Sequence, residues 1–150
     1  MYRRVYVSAV MEAPLAATWA VLRDFNALPA YNAKLFSESH IEDGLPSDQV
    51  GCIRNFRTRD GQGQIREKLL TLSDRDYVCC YEILEATLPV RDYVAEMRLW
   101  RVTEGDKTFG EWWATFEVDP ENEPEVMRAV TDTFRFAFQG AEELARSSRR

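Results

Sequence analysis

From Arg3 to Met11 the chain alternates. Val5, Val7, Ala9 and Met11 fall on one side and Arg4, Tyr6 and Ser8 on the other, which predicts a half-buried strand. The period then lengthens. Pro14 stands where helices begin, and Leu15, Thr18, Trp19, Leu22 and Phe25 recur at helical spacing, predicting a short helix to about Asp24. Its start is weak, because Ala13 has no side-chain acceptor to cap it. Ala27 to Ala33 adds another turn or two, interrupted by Pro29. Extended patterns follow at Lys34–Glu42, Val50–Thr58, Gln64–Ser73, Tyr77–Glu85, Tyr93–Thr103 and Thr108–Asp119. They are punctuated by turn residues: Asp43-Gly44 with Pro46, Asp60-Gly61, Asp74-Arg75-Asp76 and Glu104-Gly105-Asp106. Connections this short join antiparallel neighbours, because a parallel crossover needs a dozen residues or more. The last segment is helical. Asn122 and Glu125 make a capping-box-like start with Pro124 in the first turn, and Val126, Val130, Phe134, Ala137, Phe138, Ala141 and Leu144 form one apolar face. Strand, short helices, meander and long helix predict an α+β domain in which a curved antiparallel sheet closes over the terminal helix.

Alternation also sorts the faces. With Arg66 and Lys68 in water, Ile65, Glu67 and Leu69 point inward. The same argument turns in Trp112, Ala114, Phe116 and Val118; Tyr93, Ala95, Met97 and Leu99; Cys52, Arg54 and Phe56; and Cys79, Tyr81 and Ile83. The inner face is thus apolar and aromatic but carries Arg54, Glu67, Tyr81 and Tyr93. A carboxylate buried without partners costs several kcal/mol, so Glu67 must be paired, hydrated in a cavity or protonated. Two readings fit: an Arg54–Glu67 pair that closes the core, or polar anchors in an apolar ligand cavity.

Composition narrows the chemistry. A length of 150 residues predicts one domain spanning 1–150. A net charge of −6 disfavours a phosphate-backbone binder, and the only basic cluster, Arg146, Arg149 and Arg150, reads as a solvated tail. The single histidine, His40, excludes a multi-histidine zinc site. Its parity makes it exposed and separates it from Cys52. Cys52, Cys79 and Cys80 contain no CxxC and read as reduced, core-filling thiols. No apolar run is long enough for a membrane span or a signal peptide, so a bacterial-type cytoplasmic protein without stable membrane insertion is expected.

The stretch Val10-Met11-Glu12-Ala13-Pro14-Leu15-Ala16-Ala17-Thr18-Trp19-Ala20-Val21-Leu22-Arg23-Asp24-Phe25 resembles the opening of the START/Bet v 1-like (SRPBCC) superfamily, closest to its polyketide cyclase/dehydrase-like branch. Val50-Gly51-Cys52-Ile53-Arg54, Arg66-Glu67-Lys68-Leu69-Leu70-Thr71-Leu72-Ser73-Asp74 and Leu88-Pro89-Val90-Arg91-Asp92-Tyr93 are similar to the same superfamily's strand signatures. The resemblance covers nearly the whole chain. It implies a helix-grip fold: a seven-stranded curved antiparallel sheet around a long C-terminal helix, two short helices between strands 1 and 2, and a cavity between sheet and helix. It also implies that Glu67 and Tyr93 face the pocket and that loops Thr58–Gly63 and Ala86–Asp92 flank its entrance, as in the plant abscisic-acid receptors. The longer gate motifs and pocket lysine of those receptors are missing, so hormone reception is not implied.

Together these readings predict a module that binds a small apolar molecule: a lipid, an aromatic metabolite or a polyketide-like compound. The expected ligand-binding residues are Arg54, Phe56, Ile65, Tyr81, Ile83, Val90, Met97, Trp112, Phe116, Val130, Phe134 and Phe138. The alternative is a cofactor-free enzyme of cyclisation, dehydration or isomerisation in which Glu67 and Tyr93 move protons. Neither reading calls for a metal or a bound cofactor, and a monomer or homodimer is expected.

Overall fold

The computed structural model describes residues 1–147. Arg149 and Arg150 of the expected basic tail lie outside the described residues. Seven strands form one antiparallel sheet: β1 (Tyr2–Met11), β2 (Phe36–Ile41), β3 (Ile53–Thr58), β4 (Gln64–Ser73), β5 (Val78–Ala86), β6 (Arg91–Val102) and β7 (Lys107–Glu117). Their order across the sheet is β1-β7-β6-β5-β4-β3-β2. Sequence neighbours from β2 to β7 are thus spatial neighbours, as the short turns require, and only β1 joins from a distance. Helices α1 (Leu15–Leu22) and α2 (Leu28–Tyr31) lie between β1 and β2, and α3 (Glu123–Ser147) packs on the concave face. This is the helix-grip architecture expected from the sequence.

The inward faces follow the alternation. Val5, Met11, Ile65, Glu67, Leu69, Cys79, Tyr81, Tyr93, Ala95, Met97, Leu99, Trp112, Ala114, Phe116 and Val118 are all buried. From α3, Val126, Val130, Phe134, Ala137, Phe138 and Ala141 meet them. Leu144 departs from the expectation. It is exposed, and Ala145 is buried in its place, because the helical stripe drifts by one position near the C-terminus. The expected capping box also does not form. Asn122 accepts the Val126 N–H through its backbone carbonyl. Among the described residues neither the Asn122 nor the Glu125 side chain makes a capping bond, and Arg3 pairs with Glu123 instead.

Close approach fixes where α3 lies. Gly140 passes so near α2 that a Cβ there would sit 1.8 Å from the Tyr31 carbonyl oxygen. Gly110 of β7 is capped in the same way by the Phe138 ring, 2.6 Å from an added Cβ. These contacts press the C-terminal half of α3 onto β1, β7 and α2, while its N-terminal half stands over β3 to β6.

Candidate functional site

Where α3 presses closest, the interior is filled. The Trp112 ring stacks on Phe134 at 5.2 Å and meets Phe138 edge-on at 5.4 Å. The indole Nε1 donates to Tyr81 Oη at 3.0 Å, so that hydroxyl is engaged in the core. Met97 and Phe116 are buried in the same cluster.

At the other end α3 and the sheet diverge, and a cleft of about 560 Å³ opens between them. Its apolar wall includes Phe36, Phe56, Ile65, Ile83, Leu88, Tyr93 and Val130. Its rim is polar: Lys34, Arg59, Asp60 and Gln62 on one side, Glu125 and Asp132 of α3 on the other. Glu67 of β4 and Tyr93 of β6 are the nearly buried polar groups on this wall.

Backbone irregularities aim these two strands. The β4–β5 register slips between Arg66 and Glu67, so Glu67 stands opposite Ile83. The β6–β7 register slips between Arg91 and Val94, where Asp92 takes a left-handed conformation with φ 52°. Each slip is a bulge, which bends a strand and redirects a side chain. The second lets Arg91 face outward to Asp119 at 3.1 Å while Tyr93, two residues on, faces the cleft.

Behind the wall lies the buried ion pair. Arg54 Nε and Nη2 reach the same carboxylate oxygen, Glu67 Oε1, at 2.8 and 2.7 Å. Arg54 Nη1 donates to the Phe25 carbonyl at 3.1 Å and to Tyr31 Oη at 3.4 Å. The guanidinium also lies 4.0 Å from the Phe25 ring centre and 4.7 Å from that of Tyr81. Arg54 is therefore satisfied on the core side. Glu67 Oε2 has no hydrogen-bond partner among the described residues, and neither has the Tyr93 hydroxyl. Burial raises the Glu67 carboxyl above its ordinary range, with Arg54 working against it. Burial, and then the nearby Glu67 charge, push the Tyr93 hydroxyl well above the usual phenol value. Beside the helical wall, Asn32 Nδ2 donates to the Thr133 carbonyl at 2.9 Å and leaves its own buried Oδ1 without a partner.

The chain matches the polyketide cyclase/dehydrase and lipid transport family over residues 2–146. It belongs to that family. No curated protein matches it. Solved structures share the fold at low identity. Protein XoxI from Bacillus cereus superposes with a TM-score of 0.83 at 20% identity, covering 98% of each chain. A protein from Nitrosospira multiformis gives 0.80 at 23% identity, covering 99% of this chain and 100% of its own. A point mutant of norcoclaurine synthase from Thalictrum flavum, solved with a transition-state analogue, gives 0.79 at 16% identity, covering 100% and 98%.

Within this family member, the expected site residues separate into two groups. Phe56, Ile65, Glu67, Ile83, Tyr93 and Val130 line the cleft. Tyr81, Met97, Trp112, Phe116, Phe134 and Phe138 lie in the packed core, Arg54 stands behind Glu67, and Val90 packs at the core's edge off the cleft wall. The strand residues of the second group share the inward parity of those in the first, but parity says nothing about where along the face α3 makes contact. Phe36, Ala129 and Thr133 line the cleft and were not expected. The available signal was the margin of the α3 stripe, where Glu125, Ala129 and Thr133 recur four apart beside Val126 and Val130.

Proposed function

We propose that the cleft holds a small, largely apolar molecule of aromatic, polyketide-like or lipid-like character, with its inner end hydrogen-bonded to Glu67 and Tyr93. One observation carries this reading: the wall of an apolar cleft of about 560 Å³ holds one buried carboxylate, Glu67, whose Oε2 has no hydrogen-bond partner among the described residues. The volume falls within the range of about 300–1,000 Å³ typical of small-molecule sites. Because Arg54 is already held by Glu67 and Phe25, the recessed end offers an acceptor rather than a free cation. It therefore favours a ligand hydroxyl or enol over a carboxylate. The family's description as cyclase, dehydrase and lipid transporter supports the ligand class. A fold relative solved with a transition-state analogue supports the use of this fold for small molecules.

Mass spectrometry of molecules that copurify with the folded protein is the direct test. A fluorescent apolar dye supplies the quantitative one. The dye should bind saturably and be displaced by the copurifying molecule. Ala129→Trp, which fills the cleft from α3, should abolish uptake without lowering the melting temperature. Undiminished dye binding by Ala129→Trp would refute the site.

The second reading is proton-transfer catalysis, favoured by one detail: the buried, raised carboxyl of Glu67 shares the cleft wall with a phenol. Glu67→Gln separates the two. It keeps binding of a neutral ligand in both cases and abolishes turnover only if Glu67 moves a proton.

A further inference from the structure

We propose that the chain forms a two-fold dimer by pairing β1 with β1 of a second copy, joining the two sheets edge to edge. The sheet ends on β1 at one side and on β2 at the other. Strand β2 carries the features that discourage edge pairing: six residues, a register break between Phe36 and Glu38, and exposed Glu38 and His40. Strand β1 carries neither a break nor a proline, and its register against β7 is continuous from Tyr2 to Met11.

The backbone identifies which groups are open. Met1 and Val118 exchange N–H···O bonds of 3.1 Å in each direction, which makes them a hydrogen-bonded pair. In an antiparallel ladder such pairs alternate, so the odd positions of β1 bond to β7. Tyr2, Arg4, Tyr6, Ser8 and Val10 turn their N–H and C=O groups to the free edge, where the Tyr2 carbonyl accepts from Arg3 Nη1 at 2.9 Å, and the side chains of all five are exposed. A groove of about 240 Å³ runs between Val7–Met11 and Arg135, Gln139 and Glu142 of α3, and it ends where the Glu12 N–H donates to Glu142 Oε2 at 2.6 Å.

The edge is complementary to itself about Tyr6. In that register Tyr6 faces Tyr6 of the second copy, Arg4 faces Ser8 and Tyr2 faces Val10. No two arginines oppose each other. Ser8 is paired across β1–β7 with Glu111. Glu111 is fixed on the same sheet face by Tyr6 Oη at 2.6 Å and Trp100 Nε1 at 3.1 Å. Arg4 of the second copy therefore extends over the small Ser8 toward the Glu111 carboxylate, and two-fold symmetry repeats the contact. This charge match selects a second copy over an arbitrary extended segment.

Sedimentation equilibrium of the full chain, from low micromolar to submillimolar concentration, tests the proposal. The wild type should show a reversible monomer–dimer equilibrium. Ser8→Arg sets an arginine against Arg4 twice per dimer and should raise the dimer Kd roughly tenfold or more. Adding Arg4→Glu to it should restore dimerisation. Tyr6→Pro removes the N–H that faces the free edge together with the phenol that holds Glu111, and should also weaken the dimer while leaving the β1–β7 backbone ladder unchanged. A monomer at every concentration would overturn the proposal. So would a dimer indifferent to Ser8→Arg and Tyr6→Pro, or one that Arg4→Glu fails to rescue.

Discussion

At Glu67 a single side chain serves two environments. One carboxylate oxygen takes both Arg54 contacts, the other has no hydrogen-bond partner among the described residues, and the side chain lines the cleft. Truncating it leaves the buried guanidinium without its counter-charge, and removing one partner of a buried pair is strongly destabilising. Glu67→Ala should therefore lower unfolding stability by about 3–5 kcal/mol in urea titrations. Glu67→Gln keeps an acceptor for Arg54 Nε and should lose clearly less. If the two variants lose equally, charge rather than hydrogen bonding holds Arg54, and the binding test with Glu67→Gln must be read at reduced stability. The buried thiols behave differently. Burial pushes Cys79 up to about 12 and raises Cys52 as well, so neither presents a thiolate near neutral pH.

Among the elements, α3 decides where core ends and cleft begins. Its contact with α2 leaves no room at Gly140, whose added Cβ would meet backbone rather than a movable side chain. Gly140→Ala must push α3 off α2, and overpacking of this kind costs typically about 1–3 kcal/mol or more. The expected result is a lower melting temperature and altered dye uptake, because the same displacement widens the cleft. An unchanged melt would mean that the helix has slack at this contact. This element also marks the limit of what the sequence discloses. Period-two alternation placed Arg54, Glu67, Tyr81 and Tyr93 on one face correctly, because a strand offers only two faces. It could not separate Tyr81, engaged by Trp112, from Tyr93, open to the cleft, since both have the same parity. That distinction depends on the tilt of α3, which Gly140 and Gly110 set through long-range contacts. Bulges at Glu67 and Asp92 were equally hidden, as each is a property of two paired strands rather than of one.

For the whole molecule, acid acts through carboxylates with opposite signs. Glu42, beside β2, is held at about 2, below its ordinary 4.5, chiefly by the Arg66 hydrogen bond and helped by Asn55. Asp74 is lowered by Arg23 and Trp19, which tie the turn before β5 to α1. Such groups are protonated less readily in the folded chain than in the unfolded one. Their stabilisation is present above the unfolded value and is lost as pH falls through the folded value. Glu67 runs the other way: its raised carboxyl favours the folded state once protonated, and that contribution is complete below the unfolded value and lost as pH rises through the folded one. The surface pairs should prevail below pH 4.5, so unfolding stability should decline from there toward pH 2. Glu42→Gln should flatten that decline and lower stability at neutral pH by at most about 1 kcal/mol, since solvent screens the pair. Glu67→Gln should steepen it, because the opposing contribution is gone. Urea titrations of the three proteins at pH 7, 4 and 3 (roughly spanning the carboxylate range) check both signs. An unchanged acid slope in Glu42→Gln would assign the acid sensitivity to carboxylates other than Glu42.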